Sequence, residues 1–140
     1  MVHLVFSTKN RHPYLLNEIG AEVRAYLSGI LRNCGCVVVA TGGVEDHVHL
    51  LFALSRTMTL AQIVEKLKTG SGKWAKEKWQ TDLTWQSGYG AFSVGARELD
   101  QIAAYVRNQE SHHRATTFKE EFLVLLNDAR VSYDERYLWD

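Results

Sequence analysis

Residues 45–54 have the sequence EDHVHLLFAL. The β-branched and large apolar residues of this stretch, with Gly42-Gly43 before it and polar residues after it, predict a β-strand. Successive side chains of a strand point to opposite faces, so His47 and His49 would share one face, roughly 6–7 Å apart along it. Two neighbouring imidazoles have the geometry of a pair of metal ligands, although polar side chains that are satisfied by neighbours or water would show the same pattern.

The composition is that of a soluble globular protein. The chain has 140 residues, of which 46% are hydrophobic and 23% are charged, and this predicts one domain spanning residues 1–140. No apolar run is long enough for a transmembrane helix or a signal peptide, so we expect no membrane partner. Cys34 and Cys36 form a single C-x-C pair, too few thiolates for a zinc site, and we expect both to be core residues of a cytoplasmic protein.

The overall charge gives no support to a nucleic-acid partner, because the formal net charge is zero and the pI is near 7.0. The distribution of charge is less even. Between residues 62 and 79, two glutamates are outnumbered by the lysines Lys66, Lys68, Lys73, Lys76 and Lys78. This run allows a basic face, and a solvated helix surface would also explain it.

The order of the predicted elements indicates a ferredoxin-like α+β fold. Strands are predicted at residues 2–7, 36–40, 47–54 and 88–94, with Thr41-Gly42-Gly43 as the turn of a hairpin. Helices are predicted from an N-cap at Asn17 to residue 34, from a cap at Thr59 through residue 79 with an interruption at Gly70-Ser71-Gly72, and at residues 97–113 and 118–130. The order β-α-β-β-α-β is that of a split βαβ unit, a four-stranded antiparallel sheet with helices on one face. The C-terminal helices would then cover the open face of the sheet or a partner subunit.

A second pair of chemically useful side chains lies on the third helix. Tyr105 and Gln109 are four residues apart and therefore share one helix face. In one interpretation Tyr105 is a core aromatic residue and Gln109 an exposed amide. In the other, both residues belong to one site with His47 and His49. In the second case Gln109 offers a neutral third ligand and Tyr105 a nucleophilic hydroxyl. Because such ligands are neutral, a bound divalent cation keeps its full positive charge and can polarise a phosphodiester oxygen. Imidazole and oxygen donors suit Mg²⁺ or Mn²⁺, and Zn²⁺ is a further alternative.

These residues resemble the HUH single-tyrosine transposases of small insertion sequences and their REP-associated relatives. The resemblance lies in His47-Val48-His49, in Tyr105 with Gln109, and in the stretches HLVFSTKNRH (3–12), KTGSGKW (68–74), GYGAFSV (88–94) and 105–113, followed by Phe118 and Glu121. It implies a homodimer that cuts and rejoins single-stranded or hairpin DNA. It also implies that His47, His49 and Gln109 are metal ligands, and that Tyr105 becomes linked to a DNA 5′ phosphate. The tyrosine helix would dock on the partner subunit, with Gly95 as the hinge.

Several basic and aromatic residues are candidates for DNA contacts. The first loop offers Lys9 and Arg11, the lysine run offers Lys66, Lys68, Lys73 and Lys76, and the third helix offers Arg107 and, beyond it, Arg114. Trp74 and Trp79 would stack on unpaired bases or belong to the core, and for Trp79 we favour the core. We interpret His112-His113 as a solvated helix end.

The sequence therefore predicts a transposase, an enzyme of DNA transposition and recombination that acts as a metal-dependent single-strand endonuclease and strand transferase. Two alternatives remain. One is a metal-dependent hydrolase of the same fold, in which a bound water attacks and Tyr105 donates a proton or a hydrogen bond. The other is a domesticated, non-catalytic DNA-binding protein.

Overall fold

A computed structural model describes all 140 residues. The strands are β1 (Val2–Ser7), β2 (Val37–Val44), β3 (His47–Ala53) and β4 (Gly90–Ser93). The helices are α1 (Asn17–Asn33), α2 (Leu60–Trp79), α3 (Leu99–Arg107), α4 (Gln109–His112), α5 (Phe118–Asp128) and α6 (Glu135–Leu138), and a 3-10 turn spans Lys9–Arg11. The strands form one antiparallel sheet in the order β2-β3-β1-β4. This confirms the predicted ferredoxin-like α+β fold.

One face of the sheet is covered by α1 and α2, which bury the main core. Thr59 begins α2 with a capping box, in which its side chain and that of Gln62 each accept a hydrogen bond from the other's backbone N–H. The interruption predicted at Gly70-Ser71-Gly72 was wrong, since α2 is continuous there. These small residues serve packing instead: a Cβ at Gly70 would lie 3.0 Å from the Ile30 side chain of α1, and the buried Ser71 hydroxyl accepts a 2.9 Å hydrogen bond from the indole of Trp85.

The hairpin turn begins four residues later than predicted. β2 continues through Thr41, Gly42 and Gly43, and the turn is at Glu45-Asp46. The glycines are explained by a tertiary contact, because a Cβ at Gly42 would lie 2.8 Å from the carbonyl carbon of Val106 on α3. Gly42 therefore allows the backbone of α3 to pack directly on β2.

The opposite face of the sheet is covered by α3, α4 and α5 of the same chain. The single helix predicted at residues 97–113 is divided at Asn108, whose φ of −99° and ψ of 27° are not helical. Val106 of α3 and Phe122 of α5 pack in two small apolar clusters on this face. Gly90 of β4 makes room for the ring of Phe122, since a Cβ there would lie 2.8 Å from its Cζ.

Other boundaries differ from the predictions by a few residues. The predicted N-cap residue Asn17 is the first residue of α1 and its helix start has no side-chain cap, whereas β4 and α5 are each shorter than predicted. Cys34 and Cys36 are free and buried, as predicted.

None of the helices combines the length and the apolar character needed to span a lipid bilayer.

Candidate active site

The two histidines of β3 lie side by side on the sheet face that α3, α4 and α5 cover. Both side chains are fully buried, and the ring centroids of His47 and His49 are 5.1 Å apart. Leu51 points to the same face, whereas Val48 and Leu50 point into the core under α1 and α2. The two-residue period of the strand thus places the site and the main core on opposite sides of the sheet.

The inner nitrogen of each imidazole is held by a neighbour. Nδ1 of His47 donates a 2.7 Å hydrogen bond to the carboxylate of Asp46, and Nδ1 of His49 shares a 2.8 Å hydrogen bond with Nε2 of His3 on β1. Such outer hydrogen bonds fix the tautomer and the ring orientation of histidines that bind metals. The Nε2 atoms of both rings face a common point on the other side.

A carboxylate from α5 occupies that common point. Glu121 is 3% exposed, and its Oε1 lies 2.9 Å from Nε2 of His113, 3.1 Å from Nε2 of His49 and 3.3 Å from Nε2 of His47. Its Oε2 accepts a hydrogen bond from the Tyr105 hydroxyl. The donor atoms of the three histidines and the glutamate all lie within 4.8 Å of one another. Side chains from three separate segments therefore converge, and together they could hold one metal ion.

The tyrosine and the glutamine of the third predicted helix also reach this point within a single chain. Tyr105 is half-buried on α3, and its ring centroid lies 5.8 Å from that of His49. Gln109 is 1% exposed, with its Oε1 3.4 Å from Nε2 of His47 and its amide bonded to the Tyr105 carbonyl. The alternative in which Gln109 is an exposed amide is therefore wrong.

The charges of the site are strongly coupled. At His47, burial lowers the pKa, but the hydrogen bonds to Asp46 and Glu121 outweigh this effect and raise the pKa to about 9. Burial dominates at His49 and lowers its pKa to about 4. Burial alone would raise the pKa of Glu121, yet its hydrogen bonds to three histidines hold that pKa well below the usual range. Burial and the facing carboxylate raise the pKa of the Tyr105 hydroxyl, so that this phenol keeps its proton.

Most of the lysines predicted to contact DNA lie on α2, across the sheet from the histidines. Lys66, Lys73 and Lys76 are exposed there. Lys68 is different, because its ammonium donates hydrogen bonds of 2.7–3.2 Å to the three successive carbonyls of residues 86–88. Burial lowers its pKa to about 8. Lys68 therefore ties α2 to the segment that precedes β4.

The tryptophans of α2 are both half-buried. Trp74 stacks on Tyr26 of α1, with ring centroids 4.5 Å apart and planes within 10° of parallel. Trp79, which we expected in the core, lies at the last position of α2 beneath the Lys78 ammonium. One face of the Trp74 ring is therefore already occupied by an aromatic partner.

The remaining candidates for DNA contact lie nearer the histidines or at the edge of the sheet. Lys9 and Arg11 belong to the 3-10 turn, which adjoins the start of β3 because Thr8 N–H donates a 2.8 Å hydrogen bond to the Asp46 carbonyl. Arg107 is exposed on α3 and donates a hydrogen bond to the Val39 carbonyl.

Four of the site residues correct or extend the sequence analysis. We expected His113 at a solvated helix end, but its side chain is 8% exposed and bonded to Glu121, whereas His112 is 36% exposed. Glu121 had no predicted role. The sequence did indicate such a role, because Glu121 lies between Phe118 and Phe122 on the apolar face of α5, and a carboxylate buried there needs a partner. His3 and Asp46 were also missed as partners of the imidazoles.

Known proteins resemble most of this chain. A family model described as IS200-like transposase matches residues 1–109. The ISDra2 transposase TnpA of Deinococcus radiodurans is 27% identical over 114 residues, which are 76% of this chain and 81% of that protein. A crystal structure of a candidate transposase from Deinococcus radiodurans R1 has a TM-score of 0.63 and 26% identity, and the match covers 77% of this chain and 88% of that chain.

A second solved structure shows likeness in fold alone. It is a REP-associated tyrosine transposase bound to a REP hairpin, with a TM-score of 0.58 and 13% identity, and the match covers 75% of this chain and 62% of that chain. His113 and Glu121 lie beyond the residues that the family model matches.

Proposed function

The chain belongs to the IS200-like transposase family, and from this premise we propose that it cuts and rejoins single-stranded DNA through a 5′-phosphotyrosine on Tyr105. The observation that carries the proposal is the meeting of the Tyr105 hydroxyl with Nε2 of His47 and of His49 around one carboxylate. A hydroxyl beside two imidazoles that can hold a cation has what nucleophilic attack on a phosphodiester requires.

In the proposed reaction, the Tyr105 oxygen attacks phosphorus and forms a new O–P bond while the bond from phosphorus to the 3′ oxygen breaks. The phenol gives up its proton and the departing 3′ oxygen takes one up, so the products are a phosphotyrosine and a free 3′ hydroxyl. Attack of a 3′ hydroxyl on the phosphotyrosine rejoins the strand and restores the phenol. The phosphotyrosine keeps a reactive phosphoester in place, and the cycle therefore needs no ATP.

We propose that His47 and His49 hold Mg²⁺ or Mn²⁺. The sequence suggests Gln109 as the third ligand, and the geometry adds Glu121 and His113 as further donors. The donor set fits a divalent cation, because buried imidazole nitrogens and oxygens converge there with one ionised carboxylate. When bound, the cation would polarise a phosphodiester oxygen and stabilise the leaving 3′ oxygen.

Asp46 and His3 act in this proposal as positioning residues for the two imidazoles. Their hydrogen bonds leave the Nε2 atoms of the rings facing the Tyr105 hydroxyl. Because α4 and α5 close the site over the sheet, we propose that residues 1–140 work as one domain.

The proposed partner is single-stranded or hairpin DNA, as in the structural relative bound to a REP hairpin. Lys9 and Arg11, on the turn that adjoins the start of β3, are proposed phosphate contacts, and contacts of this kind weaken as salt rises. A homodimer in which the tyrosine helix swings about Gly95 to act on the partner subunit follows from the family resemblance. Size-exclusion chromatography that finds an active monomer would contradict it.

The test is to incubate the chain with single-stranded hairpin DNA and Mn²⁺ and to separate the products on a denaturing gel. We expect a covalent protein–DNA species in the unmodified chain. Tyr105→Phe should lose that species while its DNA affinity changes less than twofold. Free DNA ends without a covalent species would favour the hydrolase, and intact DNA would favour the non-catalytic binding protein.

A further inference from the structure

A pocket of about 310 Å³ opens beside the Tyr105 hydroxyl, between α3 and α5. Its apolar wall is formed by Ile102, Val124 and Leu125, and Tyr105 and Glu121 also line it. The pocket and the active site thus share two side chains. Any group that fills this space lies directly next to the proposed nucleophile.

The lining favours a flat, neutral ring over a charged phosphate. Tyr105 and His112 present aromatic rings with centroids 5.3 Å apart. The remaining polar groups include the carboxylates of Glu121 and Asp128, and no lysine or arginine lines the pocket. The Glu121 carboxylate is bonded to histidines and to Tyr105, so the free charge of the pocket is that of Asp128. A free carboxylate repels phosphate but accepts hydrogen bonds from the amino group of a base.

The exposed wall of the pocket supports the same conclusion. Val124 is 57% exposed on α5, so it contributes little to the core of the protein. An apolar side chain in this position gains contact area when a ring enters the pocket.

We propose that this pocket binds the base of one nucleotide flanking the phosphate that Tyr105 attacks, and that Asp128 selects bases with an exocyclic amino group over thymine. The inference rests on the proposed function, because only a strand bound at Tyr105 brings the neighbouring base to this place. Flipped and unpaired bases are commonly held in this manner, by stacking on rings and by hydrogen bonds to the base edge.

The experiment uses a randomised single-stranded DNA library with Mn²⁺. The captured DNA and the released fragment that ends in a 3′ hydroxyl are both sequenced, so that the base on each side of the attacked phosphate is read. At one flanking position we expect thymine to be depleted about tenfold, as expected for one good contact to a base edge. Asp128→Asn should reduce this depletion to less than about threefold. Asp82→Asn, which removes an exposed carboxylate outside the pocket, should leave it unchanged.

A second pair of variants tests the space itself. Val124→Trp should reduce capture of ordinary DNA about tenfold but leave capture of DNA with an abasic site at that position unchanged. Val37→Trp, at another exposed valine on β2, should affect neither substrate. The proposal that the pocket binds a base is refuted if Val124→Trp reduces capture of both substrates equally, or if the unmodified chain shows no base preference.

Failure of the proposed function is distinguishable from failure of the pocket. If no DNA is captured, the proposed phosphotyrosine reaction is wrong. The base pocket is then tested by fluorescence anisotropy, which compares the affinity for a twelve-nucleotide oligothymidine with that for the same oligonucleotide carrying one dC. Tighter binding of the second that disappears in Asp128→Asn supports the pocket, and equal affinities refute it.

Discussion

Gly42→Ala tests whether direct backbone packing of α3 on β2 builds the site. An alanine Cβ would lie 2.8 Å from the Val106 carbonyl carbon and closer still to its oxygen, whereas carbon atoms pack at roughly 3.5–4.0 Å. The two backbones must therefore separate by about 1 Å. Both are held by hydrogen bonds, in a strand and in a helix, so neither can adjust by rotating a side chain.

Two consequences should be measurable. Overpacking of this kind costs about 1–3 kcal/mol and partial loss of the Val106 burial adds to it, so we expect about 2–4 kcal/mol in the free energy of unfolding. For a chain of this size, the Tm measured by circular dichroism should fall by roughly 6–15 °C. Because α3 carries Tyr105, the displacement should also slow formation of the covalent DNA species by about a hundredfold at temperatures where the variant is folded.

Gly29→Ala is the matched control. Nothing lies within 4 Å of a Cβ at Gly29, which is inside α1. Alanine should therefore stabilise the protein by about 0.5–1 kcal/mol through helix propensity. If Gly42→Ala kept the Tm and the capture rate of the unmodified chain, the packing argument for the position of Tyr105 would be wrong.

Two further substitutions separate structural from functional side chains. Lys68→Met should lower the free energy of unfolding by about 1–3 kcal/mol in urea unfolding, since it leaves three carbonyls without their donor. Lys66→Met, at an exposed lysine two residues earlier on α2, should change stability by less than about 0.5 kcal/mol. Glu121→Gln should weaken Mn²⁺ binding to the DNA-free chain at least about tenfold, because the site loses its ionised oxygen. Titration calorimetry measures this affinity, and an unchanged value would remove Glu121 from the proposed ligands. The exposed Glu65→Gln is the control and should leave Mn²⁺ affinity unchanged.

Local patterns predicted the sheet well where they were regular. β1 was predicted with its observed bounds, and β3 differs from its prediction by one residue. The errors occurred where small residues pack against another element. Gly42 and Gly70 each look like a turn or a break in the sequence, but each faces α3 or α1 at short distance in the fold. Sequence patterns alone cannot separate these uses of glycine, because the neighbouring backbone is distant along the chain.

The site was predictable only in part, for a reason that Glu121 makes clear. His47 and His49 were identified because a strand places alternate residues together, and Tyr105 with Gln109 because a helix places every fourth residue together. Glu121 meets them through tertiary packing of α5, which no local period encodes. Yet a carboxylate between Phe118 and Phe122 on an apolar helix face has to find a positive group, hydrogen-bond donors or a cation. In this fold the imidazoles of β3 and of the segment after α4 supply that partner, so the buried acid of α5 was a sequence signal that pointed from this helix to the histidine strand.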